Sequence, residues 1–297
     1  MALPIDEHIS TWIQADWGLG PVTATLLTGG MNSRVWLVTD GRATWVAKSV
    51  PSAAARRFTA GLAVATRVQA AGIPTGAPIQ RSDGTITAEH GDRVVALLSF
   101  VDGAGLTRES ELEQRLIGTT LGRAHRALLG ADEPSAERFH WLEPDAPHLG
   151  LRSWLRPAIV DALAVWDELA PESLTWGLLH SDPAPEAFLL ADDGTCGLID
   201  WDLGLMGPVM YDVASAVMYV GGPAYGGPLI DAYTSSGVLG RAEIERTLAP
   251  LLRVRWAVQA DYFAMRLTAG DLTGIADTAE NEEGLEDARS ALSEFTA

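Results

Sequence analysis

The sequence predicts an α+β chain of two lobes, a strand-rich N-terminal part over residues 1–100 and a mainly helical part over 101–297. Three observations carry this. The length of 297 residues exceeds one typical compact core and suits two. The apolar pattern alternates through the first hundred residues and turns to helical spacing beyond Val101. Charge divides at the same point: residues 1–100 carry 8 basic and 7 acidic groups, residues 101–297 carry 13 and 32, and the net −18 arises entirely in the second part.

Each element follows in order. Residues 22–27 and 35–39 read as strands flanking Thr28-Gly29-Gly30-Met31-Asn32-Ser33-Arg34. Asp40-Gly41 is a hairpin signal leading to a third strand at 44–50. Residues 53–71 are alanine-rich and helical, closed by Gly72 with Pro74 just beyond. Residues 85–88 and 94–100 supply two further strands, which completes a five-stranded antiparallel N-lobe with one helix packed on it. A short connector lies near Asp102-Gly103. Leucines at 112, 116, 121 and 128 mark a helix over 109–129, and 151–169 is a second amphipathic segment. A small hairpin follows, with strands 188–190 and 196–199 about the turn Asp192-Asp193-Gly194. Helices close the chain, the longest over 241–267.

Composition excludes several classes. Apolar residues at 47% and charged residues at 20% fit a soluble globular chain, not a collagenous or disordered one. Cys196 is the single cysteine, so no internal disulfide forms. The start MALPIDEHIS has no basic-then-apolar leader pattern. The longest uncharged run, 213–230, is broken by Gly221, Gly222, Pro223, Gly226, Gly227 and Pro228 and cannot span a membrane. A cytoplasmic location is expected. The acidic field repels nucleic acid and anionic membrane and attracts cations, so the expected partner is a cationic small molecule and the expected state a monomer or weak dimer.

Lys48 is the only lysine, against 20 arginines, and it sits inside the apolar run Ala43-Thr44-Trp45-Val46-Ala47-Lys48-Ser49-Val50. A compact ammonium there suits a point charge that must meet phosphate in a tight space. Gly29 and Gly30, with Ser33, stand between two antiparallel strands, where backbone N–H groups can approach an anion closely. Further on, His180-Ser181-Asp182-Pro183-Ala184-Pro185-Glu186 and Leu198-Ile199-Asp200-Trp201-Asp202 hold carboxylates at the mouths of short apolar strands. One can meet a hydroxyl and the other a metal, and hard oxygen ligands suit Mg²⁺. These are the parts phosphoryl transfer requires.

His180-x-Asp182, Ile199-Asp200-Trp201 and Tyr211-Asp212-Val213-Ala214, in that order after Lys48, resemble the aminoglycoside phosphotransferase and choline kinase superfamily. The resemblance implies a bilobal protein-kinase-like fold and phosphoryl transfer from ATP or GTP with Mg²⁺. It makes Asp182 the catalytic base, Asp200 the metal ligand and Lys48 the holder of the α/β-phosphates. It makes Ser99, Phe100 and Val101 part of the hinge that receives the nucleobase, and His180 a structural member of the catalytic loop. Asp212 reads alone as an N-cap, and by resemblance as a buried carboxylate that steadies that loop. Two positions depart from the pattern. The usual metal-binding Asn is Ala187, so Glu186 is the substitute metal ligand expected. No Asp or Glu occurs between Val50 and Arg81, where a helix glutamate would pair with Lys48; Gly61 or Thr66 takes its place.

Acceptor specificity is expected in the acidic helical lobe. Seven acids fall between Asp271 and Asp287 with no base among them. Asp271, Glu282 and Glu283, with Asp202 and Asp102 near the cleft, are the expected substrate-binding groups. By resemblance such a lobe suits a cationic antibiotic, either a cyclic peptide of the capreomycin and viomycin type or an aminoglycoside, with resistance as the outcome. Two alternatives stand beside it: a small-metabolite kinase acting on a sugar, amino alcohol or amino acid, and a non-catalytic nucleotide or ligand binder. A choline-type acceptor would want an aromatic cage, for which Trp141, Trp154, Trp166, Trp176 and Trp256 are available.

Overall fold

The computed structural model of the chain describes residues 5–27, 30–31, 33–139 and 142–295. Gly29 and its neighbours Thr28 and Asn32, and also Trp141, lie outside them. The N-lobe opens with α1 (Ile5–Trp17) and continues through β1 (Thr23–Leu27), β2 (Arg34–Thr39), β3 (Thr44–Pro51), α2 (Ala55–Ala70), β4 (Ala88–His90) and β5 (Arg93–Ser99). The five strands form one antiparallel sheet in the order β1-β2-β3-β5-β4.

Two helices cover this sheet, where the sequence led us to expect one. Ile9 and Ile13 of α1 pack with Trp36, Val38, Ala47, Val95 and Leu97, whereas Phe58 and Leu62 of α2 pack with Val50, Val94 and Ala96. Val94 to Leu97 thus alternate between the two helices, which is why the middle of that strand is continuously apolar. The same alternation turns Lys48, next to Ala47, toward the α2 side. The fourth strand begins at Ala88, not at 85; Thr85 instead ties Asp83 and Arg81 into a turn.

The C-lobe comprises β6 (Ala104–Gly105), α3 (Glu111–Leu128), β7 (Glu137–Arg138), α4 (Leu155–Glu168), β8 (Trp176–Leu179), β9 (Phe188–Leu190), β10 (Cys196–Leu198), β11 (Leu205–Pro208), α5 (Met210–Tyr219), α6 (Gly227–Thr234), α7 (Arg241–Ala269) and α8 (Thr278–Glu294). The expected hairpin, β9–β10, is joined by β6 into a three-stranded sheet, and β7-β11-β8 form another. The larger core links α3, α5, α6 and part of α7, and a second unites α4, α7 and α8. Among the described residues no helix is long and apolar enough to cross a membrane.

The lobes meet backbone on backbone. A Cβ on Gly61 of α2 would lie 2.1 Å from the carbonyl oxygen of Trp201, and one on Gly204 would lie 2.3 Å from the Cβ of Ala60. Gly204 N–H also donates to the carbonyl of Arg57 at 3.1 Å. A glutamate, or any side chain, at Gly61 would therefore force α2 away from the Trp201 segment.

Candidate active site

Lys48 is buried, and its ammonium lies 2.8 Å from Asp200 Oδ1 and 2.6 Å from Asp202 Oδ1. These two carboxylates are the acidic partners of Lys48, where the sequence offers no helix glutamate. Burial alone would pull the lysine's pKa down, but the two carboxylates more than offset it and hold it above the ordinary lysine value. Lys48 in turn holds Asp200 below the usual carboxylate range, while burial raises Asp202. Asp202, expected to face the acceptor, is engaged by Lys48. Asp200 adopts a left-handed backbone, φ 68°, and its side chain is 61% exposed.

The loop expected to be catalytic, His180 to Asp182, is held from α5. Asp212 is fully buried in the first turn of that helix, not at its N-cap, which is Val209. Its carboxylate accepts from the amides of His180 (2.7 Å) and Ser181 (2.8 Å), and from His125 Nε2 (3.0 Å). Ser181 is left-handed at φ 80°, a conformation costly for a residue with a Cβ and held here by these bonds. The His180 Nδ1 accepts from the Asp182 amide at 3.4 Å, so Nε2 carries the proton and donates to the Ile199 carbonyl at 2.7 Å. His180 thereby joins the two carboxylate-bearing segments.

Asp182 is half exposed. Its Oδ1 accepts from the Tyr219 hydroxyl at 2.5 Å and from Arg255 Nη2 at 3.0 Å. Tyr219 ends α5 and Arg255 lies in α7. Sequence reasoning missed both. Burial, with Asp182 beside it and Arg255 opposing, raises the Tyr219 pKa, so the phenol stays protonated.

The remaining expected residues divide. Gly30 fits the glycine loop: a Cβ there would meet the Ser33 carbonyl at 2.8 Å, and Ser33 is buried. The loop is also tied to the C-lobe. Arg266 of α7 donates to the Met31 carbonyl at 3.0 Å, and a Cβ on Gly274 would lie 2.4 Å from the Gly30 carbonyl. At the hinge the Ser99 amide donates to Ala77, while Phe100 is exposed and Val101 half-buried. Ala187 is buried and offers no ligand. Glu186 is exposed, and among the described residues no three His, Cys, Asp or Glu side chains gather to hold a metal ion. One exposed carboxylate, Asp200, completed by phosphate oxygens and waters, still suits Mg²⁺.

The acidic wall is neutralised only in part from within. Asp271 pairs with Arg266 at 3.2 Å, and Glu282 with Arg152 at 2.9 Å. Asp102 accepts from the Gly103 amide, and Glu283 lies exposed on α8. The described tryptophans form no common cage. Trp166 packs on Phe139, Trp154 and Trp256 pack into the helical cores, and Trp176 lies under Arg138.

A two-lobed α+β fold with a loop-borne aspartate, a paired strand lysine and a second aspartate after a hairpin defines the phosphotransferase class. The profile of the phosphotransferase enzyme family matches residues 23–246, and the chain belongs to that family. It is 28% identical over 202 residues to the homoserine kinase of Agrobacterium fabrum, a match spanning 62% of each chain, so it covers less than two thirds of that relative. Among solved structures it is similar to the amicoumacin kinase hAmiN (TM-score 0.73, 16% identity, 98% of this chain and 94% of that one). It is also similar to the choline kinase LicA from Streptococcus pneumoniae (TM-score 0.71, 15% identity, 98% and 99%).

Proposed function

We propose that the chain transfers the terminal phosphoryl group of ATP or GTP to a hydroxyl of a small amino-acid-like acceptor, with homoserine the first candidate. The carrying observation is the arrangement at Asp182. One carboxylate oxygen is held by Tyr219 and Arg255, while the other has no protein partner among the described residues. That oxygen orients the acceptor hydroxyl and takes its proton as the phosphoryl group leaves. Lys48 supplies the charge on the donor phosphates, and the glycine loop supplies backbone amides. Asp200 is the residue that would hold Mg²⁺, which when bound neutralises phosphate charge.

The substrate class rests on charge and similarity. Asp202, Asp271 and Glu282, three of the five expected substrate-binding groups, are paired with Lys48, Arg266 and Arg152 and so are engaged within the protein. A guanidinium, not a carboxylate, stands beside Asp182. The 28% identity to a homoserine kinase points the same way. The cationic-antibiotic reading is favoured by one feature, the exposed Glu280, Glu283 and Asp287 on one side of α8.

Mass spectrometry of L-homoserine, 1-amino-2-propanol, viomycin and an aminoglycoside, each incubated with protein, Mg²⁺ and ATP or GTP, tests both readings, with Asp182→Asn as control. A single added phosphoryl group on L-homoserine is expected. Phosphorylation of viomycin or the aminoglycoside alone would overturn the amino-acid reading. Nucleotide binding without a product on any acceptor would favour the non-catalytic binder.

A further inference from the structure

The two oxygens of Asp182 are treated unequally. Oδ1 accepts from the Tyr219 hydroxyl and from Arg255 Nη2, and that same Nη2 lies 2.9 Å from the Tyr219 oxygen. The tyrosine accepts from the arginine and donates to the aspartate, so its proton is fixed in direction. We infer that Tyr219 and Arg255 are positioning residues for the transfer step: they lock the Asp182 rotamer so that Oδ2 meets the acceptor hydroxyl. This rests on the phosphotransferase reading above.

The surrounding geometry is built for that task. Asp212 and Tyr219 are seven residues apart on α5, two helical turns, and therefore share a face. The first grips the loop by the amides of His180 and Ser181, the second by the Asp182 side chain. Arg255 closes the arrangement from α7. Its side chain is 5% exposed, its Nη1 donates to Gln259 at 2.7 Å, and its guanidinium lies 5.4 Å from the centre of the Tyr219 ring. Nε is buried with no hydrogen-bond partner among the described residues. Burying a guanidinium with one donor unmet opposes stability, and well-packed apolar residues often serve a fold as well or better. Stability is therefore a poor account of Arg255, and aiming a carboxylate is a good one.

In the transfer itself the acceptor oxygen forms its bond to the γ-phosphorus as the bond to the nucleoside diphosphate breaks, and the hydroxyl proton passes to Oδ2. Phosphoryl transfer is governed by positioning more than by base strength. A carboxylate free to rotate about χ1 and χ2 would present the wrong oxygen, or none, for much of the time.

The test compares wild type with Tyr219→Phe, Arg255→Met and Arg255→Lys under Mg²⁺-ATP, with L-homoserine as acceptor and separately without it, where water accepts. Nucleotide affinity and melting temperature are measured beside kcat. For Tyr219→Phe kcat is expected to fall roughly tenfold, and for Arg255→Met on the order of a hundredfold, with nucleotide Kd within about twofold of wild type. Arg255→Lys keeps the charge and one contact, and recovers part of the loss. Should Arg255→Met fail to fold, Tyr219→Phe, which removes a single oxygen, carries the test. Unchanged kcat in Tyr219→Phe and Arg255→Met, or losses that track nucleotide Kd instead of kcat, would overturn the inference while leaving the phosphotransferase reading intact. No turnover by wild type with L-homoserine, with water or with any other acceptor of the mass-spectrometric panel would overturn both.

Discussion

Replacing Arg266 by methionine should cost the protein several kcal/mol and loosen its hold on nucleotide. Arg266 is 1% exposed and donates from Nε to Asn281 Oδ1 (3.0 Å), from Nη1 to the Met31 carbonyl (3.0 Å) and the Tyr262 hydroxyl (3.2 Å), and from Nη2 to the carbonyls of Asp271 (3.3 Å) and Thr273 (2.7 Å). Hydrogen bonds to a charged donor net roughly 1.5–3 kcal/mol each, and a buried acceptor left without one costs about 1–3 kcal/mol. Water can reach the half-exposed Asp271 carboxylate, and removing the arginine relieves its own desolvation, so those contributions offset part of the loss. Asn281 is fully buried and keeps its deficit. A net loss of about 3–4 kcal/mol follows. At ~2.1 cal/mol/K of unfolding entropy per residue, the 297 residues give a fall in Tm of roughly 5–6 °C. Urea and thermal unfolding of wild type, Arg266→Met and Arg266→Lys measure it, and titration with ADP measures the glycine loop. Lysine, a point charge on a narrower head, should fall between the other two. An Arg266→Met protein that melts within about 1 °C of wild type and binds ADP equally well would refute the reasoning.

Other expectations are as concrete. Gly61→Ala places a Cβ where only 2.1 Å separates it from the Trp201 carbonyl oxygen, so α2 must shift; kcat should drop on the order of a hundredfold in steady-state assays while the fold persists by circular dichroism. Asp182→Asn should lower kcat by about 10²–10⁴-fold, the range for a lost general base, with ADP affinity by calorimetry unchanged. Asp200 is held below its unfolded pKa by Lys48; the unfolded state then binds the extra proton first, and stability from this pair is present above the ordinary Asp range and lost as pH falls through the depressed value. Urea midpoints between pH 5 and pH 3 should therefore decline less in Asp200→Asn than in wild type. Burial raises the Cys196 thiol pKa, so a thiol reagent at pH 8 should leave the native protein unmodified and label one thiol after denaturation.

The sequence made some of this visible and concealed the rest for physical reasons. Lys48 stands out in the sequence because a lone lysine in an apolar strand is a local anomaly, and Asp182 and Asp200 because each lies in a short contiguous motif; that the fold brings Lys48 to Asp200 is a tertiary fact. The helix α1 carries Ile9, Trp12 and Ile13 at helical spacing, a signal local to the sequence. Strands β7, β8 and β11 exist through pairing between segments up to 68 residues apart, such as Leu205 with Glu137, which no local window contains. Arg255 and Arg266 were invisible because α7 is buried on several sides, so its polar and apolar residues show no stripe. Gly61 could be seen to stand where a glutamate was expected; the reason, a carbonyl pressed against its Cα, belongs to packing alone.

The glycine contacts reach beyond the residues that make them. At Gly61 against Trp201, and again at Gly274 against Gly30, the two lobes abut through main chain with no side chain between them. Side chains can change rotamer to let a cleft breathe, whereas carbonyl groups in register move only with the segment that bears them. At these two points the separation of the lobes is set by main chain, and a change of rotamer nearby does not alter it. A change in that separation therefore has to move a whole segment, α2 or the turn at Gly274, a discrete event of the kind that often paces turnover in enzymes whose chemistry is fast.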